Sequence, residues 1–438
     1  MDQAAIYIAQ TTTRYPPLSP IEEKKLIRRI DWILVPMLLL TATLGAVDKV
    51  AISTAAIYGL RDGCLEGIIV PSISLVIAGF YKKAEQPPRN AVAFAAISSV
   101  INGFLSWAVG QIPSSAPLAK WQYLFLITGT ISLAWSFVAF LYLPDTPMNA
   151  WFLNEREKYY IITRLAENKT GIVSKTWKRE QAVEAIIDPK TWIIFLFNIA
   201  INVPNGGLIT FNGIIVNNLG FSAVQTSLLN MPTGIMSTLS AFGFSWLAAK
   251  WTNRRCLVTM IAAFVPAIGA ILVYALPRKN IGGQMVGIYL LYTYFGPYVL
   301  GISLGQANTA GHTKKSVQYS IMYIGYAVAH IVQGNLIGPQ TFRANQAPAY
   351  TGGFVSMLIC YCVCIGLMGT YWILAAVLNA KRETIASSTL PSVMTTRPIP
   401  TTNLSNSNNN YASDVDSISE YAFADLTDFE QLDFRYTT

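Results

Sequence analysis

The sequence predicts an all-α polytopic membrane protein built as two helical bundles, with about ten spans arranged four plus six. Three observations carry this. The 438 residues are 53% hydrophobic and only 12% charged, where soluble domains carry about 25% charge. Ten apolar stretches are long enough to cross or nearly cross a bilayer. A polar stretch, 144–190, separates the first four of them from the last six.

Taken in order, residues 1–29 form a polar tail with Glu22, Glu23, Lys24, Lys25, Arg28 and Arg29, and hold no apolar signal core, so the first span is expected to target the chain. The first bundle, 30–143, has spans at 30–59, 64–80, 91–111 and 123–143. The second is the shortest, since its residues reach roughly 26 Å against a ~30 Å hydrocarbon core. After the cytoplasmic central loop at 144–190, the second bundle, 191–380, has spans at 192–216, 226–249, 257–276, 286–306, 317–337 and 354–378. Residues 381–438 are rich in Ser, Thr and Asn, then acidic, and are expected to be a disordered cytoplasmic tail.

Placing the basic N-terminal tail in the cytoplasm puts 23 Lys and Arg on the inner side and five on the outer side. This asymmetry predicts that both termini are cytoplasmic, and it leaves the glycosylation patterns at Asn168 and Asn403 unused. The net charge of +8 sits in short clusters beside apolar spans, which argues for a lipid bilayer and against nucleic acid. The five cysteines fall in or beside apolar segments and imply neither a disulfide framework nor a metal site. No cofactor is expected. Two histidines and the absence of hydrolytic or phosphate-loop motifs leave an enzyme without machinery.

Chemistry is therefore expected from polar residues inside spans. Asp48, Lys49 and Glu66 lie within apolar runs, where an ionised group costs about 2.5–3.5 kcal/mol unless paired or hydrated. Two readings stay open: a substrate and proton pathway, or ion pairs that only hold helices together. Asp48 and Lys49 are neighbours on one helix and need partners on other spans. At 202–207, Asn202-Val-Pro-Asn-Gly-Gly predicts a span broken near its middle by Pro204 and two glycines, which either presents free backbone groups to a ligand or only kinks for packing, while Asn202 and Asn205 are amides that hydrocarbon disfavours. Tyr292, Tyr294, Tyr298, Gln306 and Asn308 form one further polar stripe, and His330, Gln333 and Asn335 another. The basic loops carrying Arg254 and Arg255, and His312, Lys314 and Lys315, are candidate gates.

In this order the motifs resemble a known family. They are Arg29-Ile-Asp-Trp, Asp48-Lys49, Ala55-Ala-Ile-Tyr-Gly-Leu, Trp121-Gln-Tyr-Leu-Phe-Leu-Ile-Thr-Gly, Leu143-Pro-Asp-Thr-Pro, Asp188-Pro-Lys-Thr-Trp, Pro204-Asn-Gly-Gly, Met231-Pro, Asn253-Arg-Arg-Cys, Ala310-Gly-His-Thr-Lys-Lys, Ile337-Gly-Pro-Gln-Thr-Phe-Arg, Asp425-Leu-Thr-Asp and Phe434-Arg-Tyr. Together they are similar to the fungal allantoate permease family, in the anion:cation symporter branch of the major facilitator superfamily. The resemblance implies alternating-access uptake, with protons, of a small organic anion such as allantoate, ureidosuccinate, nicotinate or a related carboxylate, at the plasma membrane.

That family has twelve spans, six plus six. Here Gly63-Cys-Leu-Glu-Gly-x-x-x-Pro is similar to the later part of its fourth span, yet follows directly on the first. The resemblance thus implies that the second and third spans are absent, together with their gating loop. The arginine expected four residues before Gly63 is replaced by Gly59. A secondary active transporter is the leading expectation, with Lys49 facing the substrate carboxylate and Glu66 or Asp48 as the proton site. The alternative is a non-transporting truncated relative or nutrient sensor.

Overall fold

The computed structural model describes residues 18–56, 69–93, 97–110, 120–166, 177–221, 223–251, 253–331, 350–394, 425–431 and 434–438, with a few isolated positions besides. Every regular element among them is helical. The first bundle contains α1 (Pro20–Ala56), α2 (Ile69–Phe80), α3 (Gln86–Ala93), α4 (Ile97–Gly110) and α5 (Lys120–Tyr142). The seam supplies α6 (Glu155–Ala166) and α7 (Arg179–Ile187). The second bundle contains α8 (Pro189–Asn217), α9 (Ala223–Lys250), α10 (Arg255–Ala275), α11 (Ile281–Leu291), α12 (Phe295–Asn308), α13 (His312–Ile331) and α14 (Thr351–Met394). The described residues of the ten predicted spans lie almost wholly on helix, and six helical stretches among the described residues are long and apolar enough to cross a membrane.

The packing follows the side-chain pattern. In the first bundle α1 touches α2, α3, α4 and α5; in the second, α8 lies against α12, α13 and α14, and α10 against α11 and α14. The α10–α11 contact depends on small residues, as close helix packing in lipid generally does. A Cβ on Gly269 would lie 2.8 Å from the Gly287 carbonyl oxygen, and one on Gly287 would lie 2.6 Å from Val273. The bundles meet through α9 on α3 and α4, α12 on α3, and α13 on α2.

Two expectations are corrected. The break predicted at Pro204 is not there, because α8 is continuous from Pro189 to Asn217. The irregular turn instead separates α11 from α12, at Tyr292–Tyr294. Its cause is local: Pro297 has no N–H to give to the Thr293 carbonyl. Ser240 Oγ donates to that oxygen at 2.8 Å, and Ser237 Oγ donates to the Tyr292 carbonyl at 2.9 Å. Gly296 lets α9 come this close, since a Cβ there would sit 2.5 Å from Ser240 Oγ.

The second correction concerns the tail expected to be disordered from 381. Helix α14 continues to Met394, and residues 425–431 and 434–438 pack onto the second bundle. Asp428, Phe434 and Tyr436 are buried there. Of its acidic residues, Asp428 meets two buried cations, Lys190 and Lys314, and Asp425 pairs with Lys178.

Candidate functional site: a polar core and a closed basic end

Interior polarity is concentrated on α8. Asn198, Asn202 and Asn205 follow at helical spacing, and all three are buried. Asn198 donates to the Met322 carbonyl on α13 at 3.2 Å, and Asn202 donates to the Asn198 carbonyl at 2.9 Å. A buried amide is tolerated only with such partners. Beside them α12 and α13 contribute an aromatic run: Phe295 to Tyr298 at 5.6 Å, Tyr298 to Tyr326 at 6.0 Å, and Tyr326 to Tyr323 at 5.5 Å between ring centres. Sequence reasoning named Asn202 and Asn205 but missed Asn198, although it sits one turn earlier on the same face.

The end of the molecule that carries the basic loops is closed across the bundles; it is called the basic end below. Asn90 on α3 donates to Gln306 Oε1 on α12 at 2.5 Å, and Gln306 Nε2 donates to the Ser74 carbonyl on α2 at 3.3 Å. Arg255 is buried at the start of α10; it donates to the Lys83 carbonyl of the first bundle and to the Ser303 carbonyl, at 3.2 Å, of the second. Within the first bundle, Arg89 grips Asp31 with two bonds of 2.7 and 2.8 Å. Arg164 of the seam reaches Glu23 at 2.8 Å and also pairs with Glu85. Burial opposes its charge, but these two carboxylates raise its pKa above the ordinary arginine value.

The remaining expected residues divide into several groups. Lys314 lies in a buried ion cluster, 2.7 Å from Asp428, 2.8 Å from Glu184 and 3.0 Å from Asp188. Lys315 is buried beside it, Arg254 is exposed, and the His312 backbone N–H donates to Asp425 Oδ1 at 2.8 Å. Asn308, expected on the central pathway, is instead at the basic end, where its amide donates to the Tyr371 hydroxyl at 3.0 Å and to the Thr437 carbonyl at 2.8 Å. It stands at the last turn of α12, too far along the helix to share a level with Tyr298. Glu66, Gln333 and Asn335 lie outside the described residues, as do the side chains of Asp48, Lys49 and His330.

The family profile described as Major Facilitator Superfamily matches residues 15–333. Among curated proteins, the chain is similar to the MFS-type transporter cnsL of Penicillium expansum, 41% identical over 461 aligned positions that cover 95% of this chain and 88% of that one. It is also similar to the allantoate permease of Saccharomyces cerevisiae, 32% identical over 384 positions covering 86% of this chain and 66% of that protein. Among solved structures, the proton:xylose symporter XylE superposes with a TM-score of 0.51 at 13% identity, over 77% of this chain and 79% of that one, a likeness of fold alone. Two helical bundles joined by a polar seam, a profile match across most of the chain and relatives named as transporters agree: the chain belongs to the Major Facilitator Superfamily and is a membrane transporter, not an enzyme.

Proposed function

We propose that the protein is a proton-coupled symporter of a small organic anion, such as allantoate, ureidosuccinate, nicotinate or a related carboxylate, working by alternating access in the plasma membrane with both termini cytoplasmic. The observation that carries this reading is the line of buried amides Asn198, Asn202 and Asn205 along α8, next to the Tyr298–Tyr326 pair. Amide donors and aromatic faces in a dry interior suit a planar carboxylate or ureide. In this reading Lys49 supplies the positive charge for the carboxylate, Asp48 or Glu66 carries the proton, and Asn335 completes the second half of the pathway. Arg255, Lys314 and Lys315 belong to the inner gate, with Arg254 and His312 at its rim. The similarity to a protein named allantoate permease supports the substrate class.

We also read the first bundle as lacking its second and third spans. The similarity to the Penicillium transporter runs over 461 positions, more than the 438 residues of this chain, so it is spanned only with gaps in this sequence. The packing agrees with this reading. Helix α5, the last of the first bundle, lies mainly against α1 and α4 and exposes Leu126, Leu133, Phe137, Phe140 and Leu141. A non-transporting relative or nutrient sensor is the second reading, favoured by this open side of α5. Uptake of radiolabelled carboxylates by cells without their own permeases, compared with a version restored to twelve spans, separates the two. Uptake by both forms supports transport, and uptake by the restored form alone supports the second reading.

A further inference from the structure

At the basic end of the second bundle, two buried lysines hold an acidic residue of the chain's own tail. Lys190 at the start of α8 and Lys314 on the first turn of α13 have side chains only 2% and 1% exposed, and together they clamp one carboxylate, that of Asp428, at 2.5 and 2.7 Å. Asp188 and Glu184 are the other anions of the cluster: Asp188 lies 3.4 Å from Lys190 and 3.0 Å from Lys314, and Glu184 lies 2.8 Å from Lys314. The Tyr436 hydroxyl donates to Asp428 at 2.7 Å, while Arg382 of α14 donates to the Asp428 carbonyl at 2.5 Å. The turn before α13 adds backbone donors. Gly311, at φ +86°, bends it so that the Ala310 and His312 N–H groups point at Asp428 and Asp425, at 3.4 and 2.8 Å. An anion at a helix N-terminus is favourable in its own right.

The rest of the segment is read residue by residue. Asn379 exchanges two bonds of 2.9 Å with the Tyr436 backbone, Asn308 exchanges bonds of 2.8 and 2.7 Å with Thr437, and the Arg255 N–H donates to the Thr438 carbonyl at 2.6 Å. One contact crosses to the other bundle: the Lys83 ammonium stands 3.7 Å above the Phe434 ring. The same Lys83 offers its carbonyl to Arg255. The segment therefore seats where the two bundles close.

We propose that residues 425–431 and 434–438 form a built-in latch, an acidic segment that fills a two-lysine receptor on the second bundle, reaches Lys83 of the first, and holds the basic end shut until it leaves. The inference rests on the alternating-access reading. A latch of this kind makes the opening of the inner gate depend on release of the tail, and anything that captures the free tail speeds that opening.

The test is double electron–electron resonance on the purified full-length protein, with native cysteines replaced and spin labels at Ile21→Cys and Trp251→Cys, exposed positions at the basic ends of the two bundles. Two variants are compared with this background. Asp428→Asn removes the clamped charge, and Phe434→Ala keeps the Asp428 carboxylate and removes the buried ring that lies under the Lys83 ammonium and against Tyr436. Each is expected to raise the population of longer separations at least about tenfold, with an unchanged elution profile showing that the bundles stay folded. Distance distributions identical to the background in both variants overturn the latch. Because the distances are read without substrate, the outcomes separate: uptake with unmoved distances sinks the latch alone, and moved distances without uptake sink the transport reading alone.

Discussion

Asn90 of α3 donates to Gln306 of α12 at 2.5 Å, and the two residues are 0% and 1% exposed, so one buried amide pair ties the two bundles together. Alternating access requires this bond to break whenever the basic end opens. Asn90→Ala leaves the Gln306 carbonyl oxygen buried without a donor, a loss of about 1–3 kcal/mol borne only by the closed form. The closed-to-open ratio is therefore expected to fall about tenfold, read as faster labelling of a cysteine introduced at Ser74, which is fully buried beneath the pair. Unchanged labelling would make the pair simple packing.

The displaced turn at Tyr292–Tyr294 gives a stability prediction. Ser240→Ala removes the hydroxyl donor to the buried Thr293 carbonyl, which keeps only the N–H of Phe295. A loss of about 1–2 kcal/mol is expected, seen as a lower Tm in detergent. Ser240→Thr, which restores the hydroxyl but adds a methyl against Gly296, is expected to recover only part of it.

Arg164 joins three parts of the first half: Glu23 on α1, Glu85 in the turn before α3, and its own helix α6. Its planar fork serves two carboxylates at once, which an ammonium cannot copy. Arg164→Lys should therefore behave more like Arg164→Ala than like the parent, each losing about 1–3 kcal/mol by thermal unfolding. Full retention of Tm in the lysine variant would show that charge alone suffices.

The tail has its own pH dependence. Burial alone would raise the Asp428 pKa, but Lys190 and Lys314 hold it down to about 2, below the ordinary aspartate value of 3.8. A depressed carboxylate stabilises docking fully above the free-tail pKa and loses that contribution as pH falls through the docked value. Docking should thus be constant above about pH 4 and weaken by roughly 2 kcal/mol between pH 4 and 2. Cleavage next to Phe429 by an acid protease should rise over that window in the parent and stay flat in Asp428→Asn.

Much of this was legible in the sequence, because bilayer thickness sets the length of apolar runs and charge asymmetry sets their order. The described residues of the ten stretches are almost all helical. Asn202, Asn205, Arg255 and Lys314 stand out in the sequence because amides and charges beside hydrocarbon are conspicuous, and all four are buried. What failed was pairing at long range. Asn308 reads as a pathway amide until Thr437, 129 residues away, occupies it. Asp428 reads as a solvated charge until Lys190 and Lys314 enclose it. Pro204 and Pro297 look alike in sequence; what the sequence does not display is that Ser237 and Ser240 of α9 take up the carbonyls beside Pro297.

The most direct test of the central claim uses the full-length chain in proteoliposomes, with an inward proton gradient imposed and radiolabelled allantoate, ureidosuccinate and nicotinate supplied in turn. A proton-coupled symporter accumulates at least one of them while the gradient holds, and Lys49→Ala abolishes that accumulation at equal protein content. Accumulation of none of the three, or accumulation unaffected by collapsing the gradient and by Lys49→Ala, would contradict it.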